Sequence, residues 1–285
     1  MSRLRSMIPG KEGPDDERPG HVGHSPESFA EYGQRPSGMQ AVGCPVSPPP
    51  RDRALHRISV IIPVLDEAEG IADVLGTLGP WRALGHEVIV ADGGSRDATC
   101  EIARPRCDGV VQAPRGRASQ MNAAARQAHG EILLFLHADT QLPDNAGDAI
   151  QKALSRDNCV WGRFDVRIVG RSRFLPVVSR MMNWRSRLSG IATGDQAMFM
   201  HRSVFEEIGG FPDQPIMEDL AMSARLLKFS APACLKGPAV TSGRRWDRHG
   251  ALRTILLMWR LRAAYFFGAD PRTLARRYGY VPRDT

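Results

Sequence analysis

The sequence FLHADT, at residues 135–140, is the stretch that decides the fold. It continues an apolar run that opens with EILL at residue 131, and it ends in a short acidic turn. Ligands of an α/β sheet bind beyond the carboxyl ends of the strands, so a carboxylate at this point can reach a bound metal or phosphate. Asp139 is therefore the first candidate for a functional residue, although an Asp after a strand also serves as a turn or helix cap.

Two earlier apolar stretches also run into acidic residues. ISVIIPV, at residues 58–64, is followed by Asp66 and Glu67, and EVIVAD ends on Asp92. Each stretch has the length and the composition of a buried strand. Three strands are thus expected to deliver carboxylates toward one edge of a sheet.

The segments between these strands carry apolar residues at helical spacing, so strands and helices alternate along the chain. Such alternation predicts a single α/β domain of mostly parallel strands with helices on both faces. The predicted helices cover residues 69–84, 95–102, 116–128, 174–188 and 218–228, and the further strands cover 109–113, 161–169 and 196–201.

Five ordered runs together resemble a family 2 glycosyltransferase of the GT-A fold, namely VIIPVLDEAEGI, VIVADGGSRDAT, GRASQMNAAARQAHGEILLFLHADT, GGF and MEDLAMSARL. The resemblance covers residues 58 to about 246 and is more specific than any one motif. HADT and TSGRRW make the chain most similar to a bacterial branch named for arsenosugar biosynthesis or for association with radical-SAM and selenium-related genes. The resemblance implies transfer of a sugar from a nucleotide-sugar donor, with UDP as the expected nucleotide.

The resemblance also implies a set of donor-binding residues. Asp92 would accept hydrogen bonds from the base, and the turn at 63–67 would flank the nucleoside. Arg117 opens a helix behind a basic turn, which attracts phosphate, although a solvated loop arginine is an equal alternative. The full predicted donor set is Pro63, Glu67, Asp92, Arg117, Asn122, Asp139, Arg245 and Trp246.

The predicted metal site departs from the family pattern. A DxD motif usually ends the fourth strand, but this chain reads His137, Ala138 and Asp139. Asp139 would ligate Mg²⁺ or Mn²⁺ at the donor pyrophosphate, and an imidazole ligand at His137 would favour Mn²⁺ because magnesium prefers oxygen. The alternative for His137 is a packed, hydrogen-bonded histidine at a strand end.

Glu218 and Asp219 match the acidic ED motif of the family. By that match Asp219 is the expected base, with Glu218 next in line. A base on the face opposite the leaving nucleotide attacks in line, which implies inversion at the anomeric carbon. The acidic pair also opens a predicted helix, and an acidic first turn is favourable there without any catalytic role.

Arg245 and Trp246 resemble the end of the QxxRW motif of processive relatives, but Ser242 replaces the Gln, so a long polymer product is not expected. Arg245 would neutralise the leaving diphosphate and Trp246 would stack on a sugar ring; a surface arginine beside a core Trp is the alternative. The segment 252–267 predicts a basic amphipathic helix, for which we consider both peripheral membrane contact and packing on the catalytic domain.

Composition bounds the remaining possibilities. Residues 1–56 contain nine Pro and seven Gly without apolar periodicity, which predicts a disordered tail before a domain at 57–246 and a basic helical extension at 247–285. Residues 244–285 contain ten Arg and three Asp, and this surplus of positive charge equals the net charge of +7 of the whole chain. The five cysteines lack a CxxC pair, and no membrane span or signal is apparent. These features favour the cytoplasm, with contact at the inner face of the membrane as an option and no nucleic-acid partner.

Two other functions fit the same sheet. A nucleotidyltransferase would make a sugar nucleotide, but it needs a Gly-rich basic loop after the first strand, where this chain has LDEAEG. A non-catalytic nucleotide-binding module would explain the missing first Asp of DxD. Retention of Asp139 and Asp219 argues against that module.

Overall fold

The computed structural model describes residues 56–280, without the side chains of Arg245, His249, Ala251 and Leu252. The predicted disordered tail lies outside the described residues except for His56. The strands are β1 (Ile58–Val64), β2 (Glu87–Asp92), β3 (Gly109–Gln112), β4 (Ile132–Phe135), β5 (Thr140–Gln141), β6 (Trp161–Val169), β7 (Phe199–His201) and β8 (Ala233–Ser242). The helices are α1 (Ile71–Thr77), α2 (Gly79–Ala83), α3 (Thr99–Ala103), α4 (Arg117–Gln127), α5 (Ala146–Leu154), α6 (Leu175–Ser189), α7 (Arg202–Ile208), α8 (Glu218–Leu226), α9 (Arg244–His249), α10 (Ala251–Phe266) and α11 (Pro271–Tyr278).

The described strands form one sheet in the order β3-β2-β1-β4-β7-β6-β8-β5. The pairs β1 with β2, β1 with β4, β2 with β3 and β6 with β8 are parallel. The pairs that involve β7 or β5 are antiparallel. The parallel part therefore carries the predicted acidic strand ends, and the mixed part extends the sheet on the other side of β4.

Two apolar layers lie on opposite faces of this sheet, because successive side chains of a strand point to opposite faces. Val60 and Ile62 of β1 join one core cluster with α1, α2 and α5. Ile61 joins the other, which is built on α4, α7 and α8. Burial on both sides explains why β1 and β4 read as continuous apolar runs rather than as alternating ones.

Two helix predictions near the site were wrong in their boundaries. The predicted helix 69–84 is divided into α1 and α2, since Pro80 has no backbone N–H to continue the first helix. Ser95 does not cap α3: its hydroxyl donates to Asp92, and the helix begins at Thr99. The Asp97 carboxylate instead accepts the Thr99 N–H at the start of the helix.

The sequence patterns did not predict β5 and β8. β5 has only two residues, and β8 contains Gly237 and Pro238, which weaken a strand pattern. Their pairing places Thr140 opposite Thr241. This contact carries the C-terminal end of β8 to the strand end that bears Asp139.

The C-terminal helices pack on the α/β domain. Ile255 of α10 packs against the cluster that contains Leu175 and Val178 of α6. Leu261 of α10 and Leu274 of α11 are buried with Met217, which precedes α8. The described part of the chain contains no helix whose length and apolarity would allow it to cross a bilayer.

Candidate active site

Hydrogen bonds join the loops that follow β1 and β2 into one rim. The backbone N–H of Asp66 donates to the Ser95 hydroxyl at 2.9 Å, and the N–H of Arg96 donates to the Asp66 carboxylate at 2.7 Å. The Glu67 N–H donates to the Thr99 hydroxyl at 2.8 Å. Asp66 has a φ of 54°, a left-handed conformation that Asp tolerates better than most residues. The acidic side chains of this rim are thus set on a fixed backbone.

Asp92 is buried at the end of β2, and its own turn binds its carboxylate. The backbone N–H groups of Gly94 and Ser95 each donate to it at 3.1 Å. Burial raises the pKa of Asp92, but hydrogen bonds from Ser95 and Gly94 hold the net pKa below the usual value. Pro63, half-buried on β1, pairs in register with Ala91. The predicted hydrogen bond from the nucleotide base to Asp92 would have to share carboxylate oxygens that already accept the N–H groups of this turn.

A first acidic centre forms where Arg244 meets two carboxylates. Its Nη2 atom lies 3.3 Å from Oε2 of Glu67 and 3.9 Å from Oδ2 of Asp139. The Thr241 hydroxyl donates to Oδ1 of Asp139 at 3.3 Å. Burial raises the pKa of Glu67, and the opposing effect of Arg244 does not cancel that rise. β1, β4 and the start of α9 therefore converge on one charged cluster.

This centre has the donor chemistry that a divalent cation requires, but in small number. Glu67 and Asp139 offer the hard oxygen ligands that Mg²⁺ and Mn²⁺ accept. Among the described residues no group of three or more His, Cys, Asp or Glu could hold a metal ion. A cation here would rest on Asp139 and complete its coordination with oxygens of a bound diphosphate. The residues fit that arrangement and do not fit an all-protein metal cage.

His137 belongs to a different cluster from Asp139. Its Nδ1 atom lies 3.2 Å from Oδ1 of Asp195. Its Nε2 atom faces Gly194, where an added Cβ would lie only 2.4 Å away. Both ring nitrogens are thus directed at Gly194 and Asp195, and the side chain is only 15% exposed. Asp195 engages Nδ1, so only Nε2 could reach a metal ion, and the ligand role of His137 stays a prediction.

The second acidic centre opens α8. Met217, with a φ of 65°, turns the chain so that Glu218 and Asp219 begin the helix. The backbone N–H of Gly194 donates to Oδ2 of Asp219 and that of Leu220 to Oδ1, each at 2.8 Å. These two bonds fix the orientation of the Asp219 carboxylate, while each oxygen keeps a lone pair for another donor.

Glu218 lies against an apolar floor. It is only 5% exposed, and burial followed by the adjacent charge of Asp219 raises the pKa of Glu218 to about 7. A small cavity of about 10 Å³, the room of a single water, adjoins both residues and is lined by Met121, Phe135, His137, Gly194, Met198, Phe211, Glu218 and Asp219. The acidic pair therefore consists of one buried carboxyl group and one oriented carboxylate.

Arg117, the first residue of α4, interacts electrostatically with both acidic centres. Its side chain is exposed to solvent although many protein atoms surround it. Burial lowers the pKa of Arg117, but the negative charges of Glu218, Tyr278, Asp195 and Asp219 outweigh that effect and raise it. Arg117 also lowers the pKa of Glu67 slightly. The guanidinium of Arg117 thus interacts electrostatically with residues of both acidic centres.

Asn122 lies one turn further along α4 but is already engaged. Its Nδ2 atom donates to the Phe211 carbonyl at 2.8 Å, and its Oδ1 atom accepts the Phe211 N–H at 2.9 Å. Both ends of the amide therefore clamp the GGF loop. Asn122 thus has a structural role, and its predicted contact with the donor stays a prediction.

The RRW segment supplies a different arginine from the predicted one. Arg244 reaches the first acidic centre, whereas the Arg245 side chain lies outside the described residues. Trp246 packs against the cluster of Val166 and Leu175, which favours its alternative role as a core residue over stacking on a sugar.

Residues 59–209 match the family described as Glycosyl transferase family 2, which is more than half of the chain. The chain belongs to this family. Membership in this family favours the glycosyltransferase interpretation over the nucleotidyltransferase and non-catalytic alternatives. Glu218 and Asp219, which begin α8, lie beyond the matched residues.

The family 2 glycosyltransferase resembles several known proteins. Glycosyltransferase AglE of Haloferax volcanii is 36% identical over 91 residues, which cover 29% of this chain and 30% of AglE. The mannosyltransferase PcManGT from Pyrobaculum calidifontis, solved with GDP-Man and Mn²⁺, has 22% identity and a TM-score of 0.54 over 89% of this chain and 71% of that one. Glucosyl-3-phosphoglycerate synthase from Mycobacterium tuberculosis, solved with Mn²⁺ and UDP, has 19% identity and a TM-score of 0.53 over 80% and 82%.

A fragment of S. aureus TarS, solved with UDP-GlcNAc, has 19% identity and a TM-score of 0.52 over 65% of this chain and 58% of that one. The chain thus spans less than a third of AglE and little more than half of the TarS fragment. At these identities the solved structures show that the fold is GT-A.

Sequence reasoning missed three residues of this glycosyltransferase site, namely Arg244, Gly194 and Asp195. Arg244 was visible beside Arg245, but nothing in the pattern distinguished the two. Gly194 and Asp195 lie in a loop that reads as a turn before β7. The available signal was a Gly-Asp pair directly before a buried strand, and it is weak by itself.

Proposed function

We propose that the chain catalyses inverting transfer of a sugar from a nucleotide-sugar donor, with UDP as the expected nucleotide, to a small-molecule or lipid-linked acceptor. The observation that carries this proposal is the presence of two acidic centres, one at Glu67 and Asp139 and one at Glu218 and Asp219. Arg117 interacts electrostatically with both. Known relatives of the same fold were solved with UDP, UDP-GlcNAc or GDP-Man. These complexes support a nucleotide-sugar donor and leave its identity to experiment.

The first acidic centre is the proposed donor side. Asp139 would hold a Mn²⁺ or Mg²⁺ ion, which supplies charge neutralisation to the leaving diphosphate when bound. Arg244 lies within reach of the same position and carries positive charge that a diphosphate attracts. Glu67 restrains Arg244 in the absence of donor. The rim at 63–67 and the turn of Asp92 frame the nucleoside in this proposal.

The second acidic centre is the proposed acceptor side. Asp219 is the base that removes the proton of the acceptor hydroxyl, because its carboxylate is oriented by two backbone N–H groups and borders a small cavity. Glu218 is buried, and burial and then the adjacent charge of Asp219 raise its pKa. An acceptor deprotonated opposite the leaving diphosphate attacks in line and inverts the anomeric centre.

The segment 252–267 is proposed as a peripheral contact with the inner face of the membrane in a cytoplasmic bacterial protein. Trp259 of α10 is 57% exposed and Phe267 is 84% exposed. Arg253 and Arg260 are both exposed, and their separation of seven residues, about two helical turns, places them on the same face of the helix. Basic side chains beside exposed aromatic residues suit a surface of anionic lipid.

A narrower assignment belongs to the same proposal. HADT and TSGRRW support placement in the branch named for arsenosugar biosynthesis or for association with radical-SAM and selenium-related genes. The domain limits 57–246, followed by a basic extension at 247–285, are proposed on the same basis. The start of α9 at Arg244 makes that boundary approximate, because one helix crosses it.

Release of nucleoside diphosphate tests the proposed transfer. The full chain is incubated with UDP-sugars and GDP-mannose in Mn²⁺, Mg²⁺ or chelator, and the diphosphate is quantified with and without candidate acceptors. Product analysis by NMR reports the anomeric configuration. We expect metal-stimulated release that Asp139→Asn abolishes, and an inverted product. Release that is independent of Asp139, or retention of configuration, would contradict the proposed mechanism.

A further inference from the structure

Arginine side chains from β6, α6 and α10 carry buried N–H groups without partners in the described part of the chain. The atoms are Nε of Arg163, Nε and Nη2 of Arg185, and Nε of Arg262. Native structures rarely leave buried donors unpaired, so each one needs an explanation such as a bound ion. Arg185 and Arg262 also form no ion pair with any carboxylate in residues 56–280.

Arg185 and Arg262 lie on helices that pack together, because Met182 of α6 and Ile255 of α10 pack against the same apolar cluster. Burial, and then the neighbouring charge of Arg262, lowers the pKa of Arg185 to about 10. Water can satisfy the hydrogen bonds of such groups, but it adds no negative charge, and the charge of Asp219 only partly opposes the repulsion between the two arginines. A bidentate anion would supply both hydrogen-bond acceptors and negative charge. The chemistry of this cluster therefore calls for an anion rather than for hydration alone.

The cluster of Arg185 and Arg262 is linked to the second acidic centre, which contains the proposed base Asp219. The charges that act on Arg185 are those of Arg262, Asp219 and Arg163. Arg262 in turn acts on Asp195, the neighbour of the Gly194 that binds Asp219. Glu67 of the donor side is affected instead by Arg244, Asp139 and Arg117. An anion between Arg185 and Arg262 would thus belong to the molecule that approaches Asp219.

We propose that Arg185 and Arg262 form a subsite for a phosphate or carboxylate group of the acceptor, beside the base Asp219. The inference rests on the proposed function, because it takes Asp219 as the base. It narrows the acceptor to molecules that carry both an anionic group and a hydroxyl group. A soluble phosphate ester and the phosphate of a lipid-linked acceptor share this chemistry.

Thermal unfolding in inorganic phosphate tests the subsite without any transfer reaction. The full chain is titrated with phosphate against sodium chloride at equal ionic strength, since a ligand that binds only the folded state raises the melting temperature. We expect Arg185→Gln and Arg262→Gln each to weaken phosphate binding at least tenfold. Arg180→Gln is the matched control, because Arg180 is exposed on the same helix, and it should bind phosphate as the wild type does.

Two further variants keep the test decisive. Arg185→Lys retains the charge without the planar fork and should weaken binding several-fold, which a variant with a collapsed fold would not show. Arg244→Gln removes the donor-side guanidinium, so it can lower any phosphate response of the donor side but should leave the part that depends on Arg185 and Arg262 unchanged. An unchanged response in Arg185→Gln and Arg262→Gln, or loss of the response only in Arg244→Gln, would overturn the subsite.

Vesicles distinguish the two sources of the anion. Binding to phosphatidic acid vesicles that falls in Arg185→Gln, against phosphatidylcholine vesicles as background, assigns a lipid-linked acceptor. A response to glycerol phosphate alone assigns a soluble one. Acceptor-independent diphosphate release from the donor is measured in parallel. Absence of diphosphate release together with normal phosphate binding contradicts the transfer proposal. Normal diphosphate release without phosphate binding contradicts only the proposed subsite.

Discussion

A methyl group added to Gly194 would lie 2.4 Å from Nε2 of His137. The imidazole cannot retreat freely, because its other nitrogen is 3.2 Å from Asp195. Gly194 also donates its N–H to Asp219. The absence of a side chain at residue 194 thus lets the end of β4 approach the loop that orients the proposed base.

Gly194→Ala should destabilise the fold by about 1–3 kcal/mol, the usual cost of overpacking a filled site, and should lower transfer as Asp219 loses its orientation. Urea unfolding and diphosphate release measure the two effects. The double variant Gly194→Ala with His137→Ala should regain much of the lost stability, because the clashing ring is removed. Additive losses in the double variant would show that the two residues do not interact.

Asp219→Asn should lower transfer by about two to four orders of magnitude, the scale of a lost general base, while donor affinity remains nearly unchanged. Isothermal titration with the donor and initial rates of transfer report the two quantities separately. Glu218→Gln serves as the comparison, with a smaller loss expected. A normal rate in Asp219→Asn would transfer the role of base to Glu218.

Glu218 should make the stability depend on pH. Its native pKa of about 7 exceeds the ordinary value of 4.5, so the native state retains a proton that the unfolded chain loses between those values. Stability should therefore fall as the pH rises through this window, by on the order of 2–3 kcal/mol at about 1.4 kcal/mol per pKa unit.

Urea unfolding at pH 5 and pH 8 measures that fall. Glu218→Gln should reduce the difference between the two pH values, whereas Glu207→Gln, at an exposed position of α7, should not change it. An identical pH dependence in Glu218→Gln and the wild type would refute the assignment.

Metal dependence should follow Asp139 and not His137. Asp139→Asn should abolish Mn²⁺ stimulation of diphosphate release, since it removes the carboxylate that would hold the ion. His137→Ala should keep the wild-type preference between Mn²⁺ and Mg²⁺ and lose some stability through its contact with Asp195. A shifted metal preference in His137→Ala would restore the ligand role predicted from the HAD motif.

Binding to anionic vesicles should depend on the exposed face of α10 and the residue that follows it. Trp259→Ser combined with Phe267→Ser should reduce cosedimentation with phosphatidylglycerol vesicles about tenfold or more, and raised salt should weaken the binding of the wild type. Leu84→Ser is the matched control, since Leu84 is 75% exposed at the end of α2. Equal binding by all three proteins would exclude this face as a membrane contact.

Local patterns predicted much of the fold. β1, β2, β3, β6 and α4 lie where composition and apolar spacing placed them, because those signals come from residues close together in sequence. β8 was missed, since Gly237 and Pro238 interrupt its pattern and its place depends on pairing with β6. The boundary of α3 was wrong because Ser95 found a partner in Asp92 rather than at a helix terminus.

The sequence by itself determined which strands end in acidic residues and that Asp139 and Asp219 lie on separate motifs. Only the tertiary structure decided the partners: Arg244 rather than Arg245 meets Asp139, His137 turns to Asp195, and Asn122 clamps Phe211. The physical reason is that a strand end fixes where a side chain begins. Its hydrogen-bond partner comes from chain that is far away in sequence and is brought near only by packing of the sheet and helices.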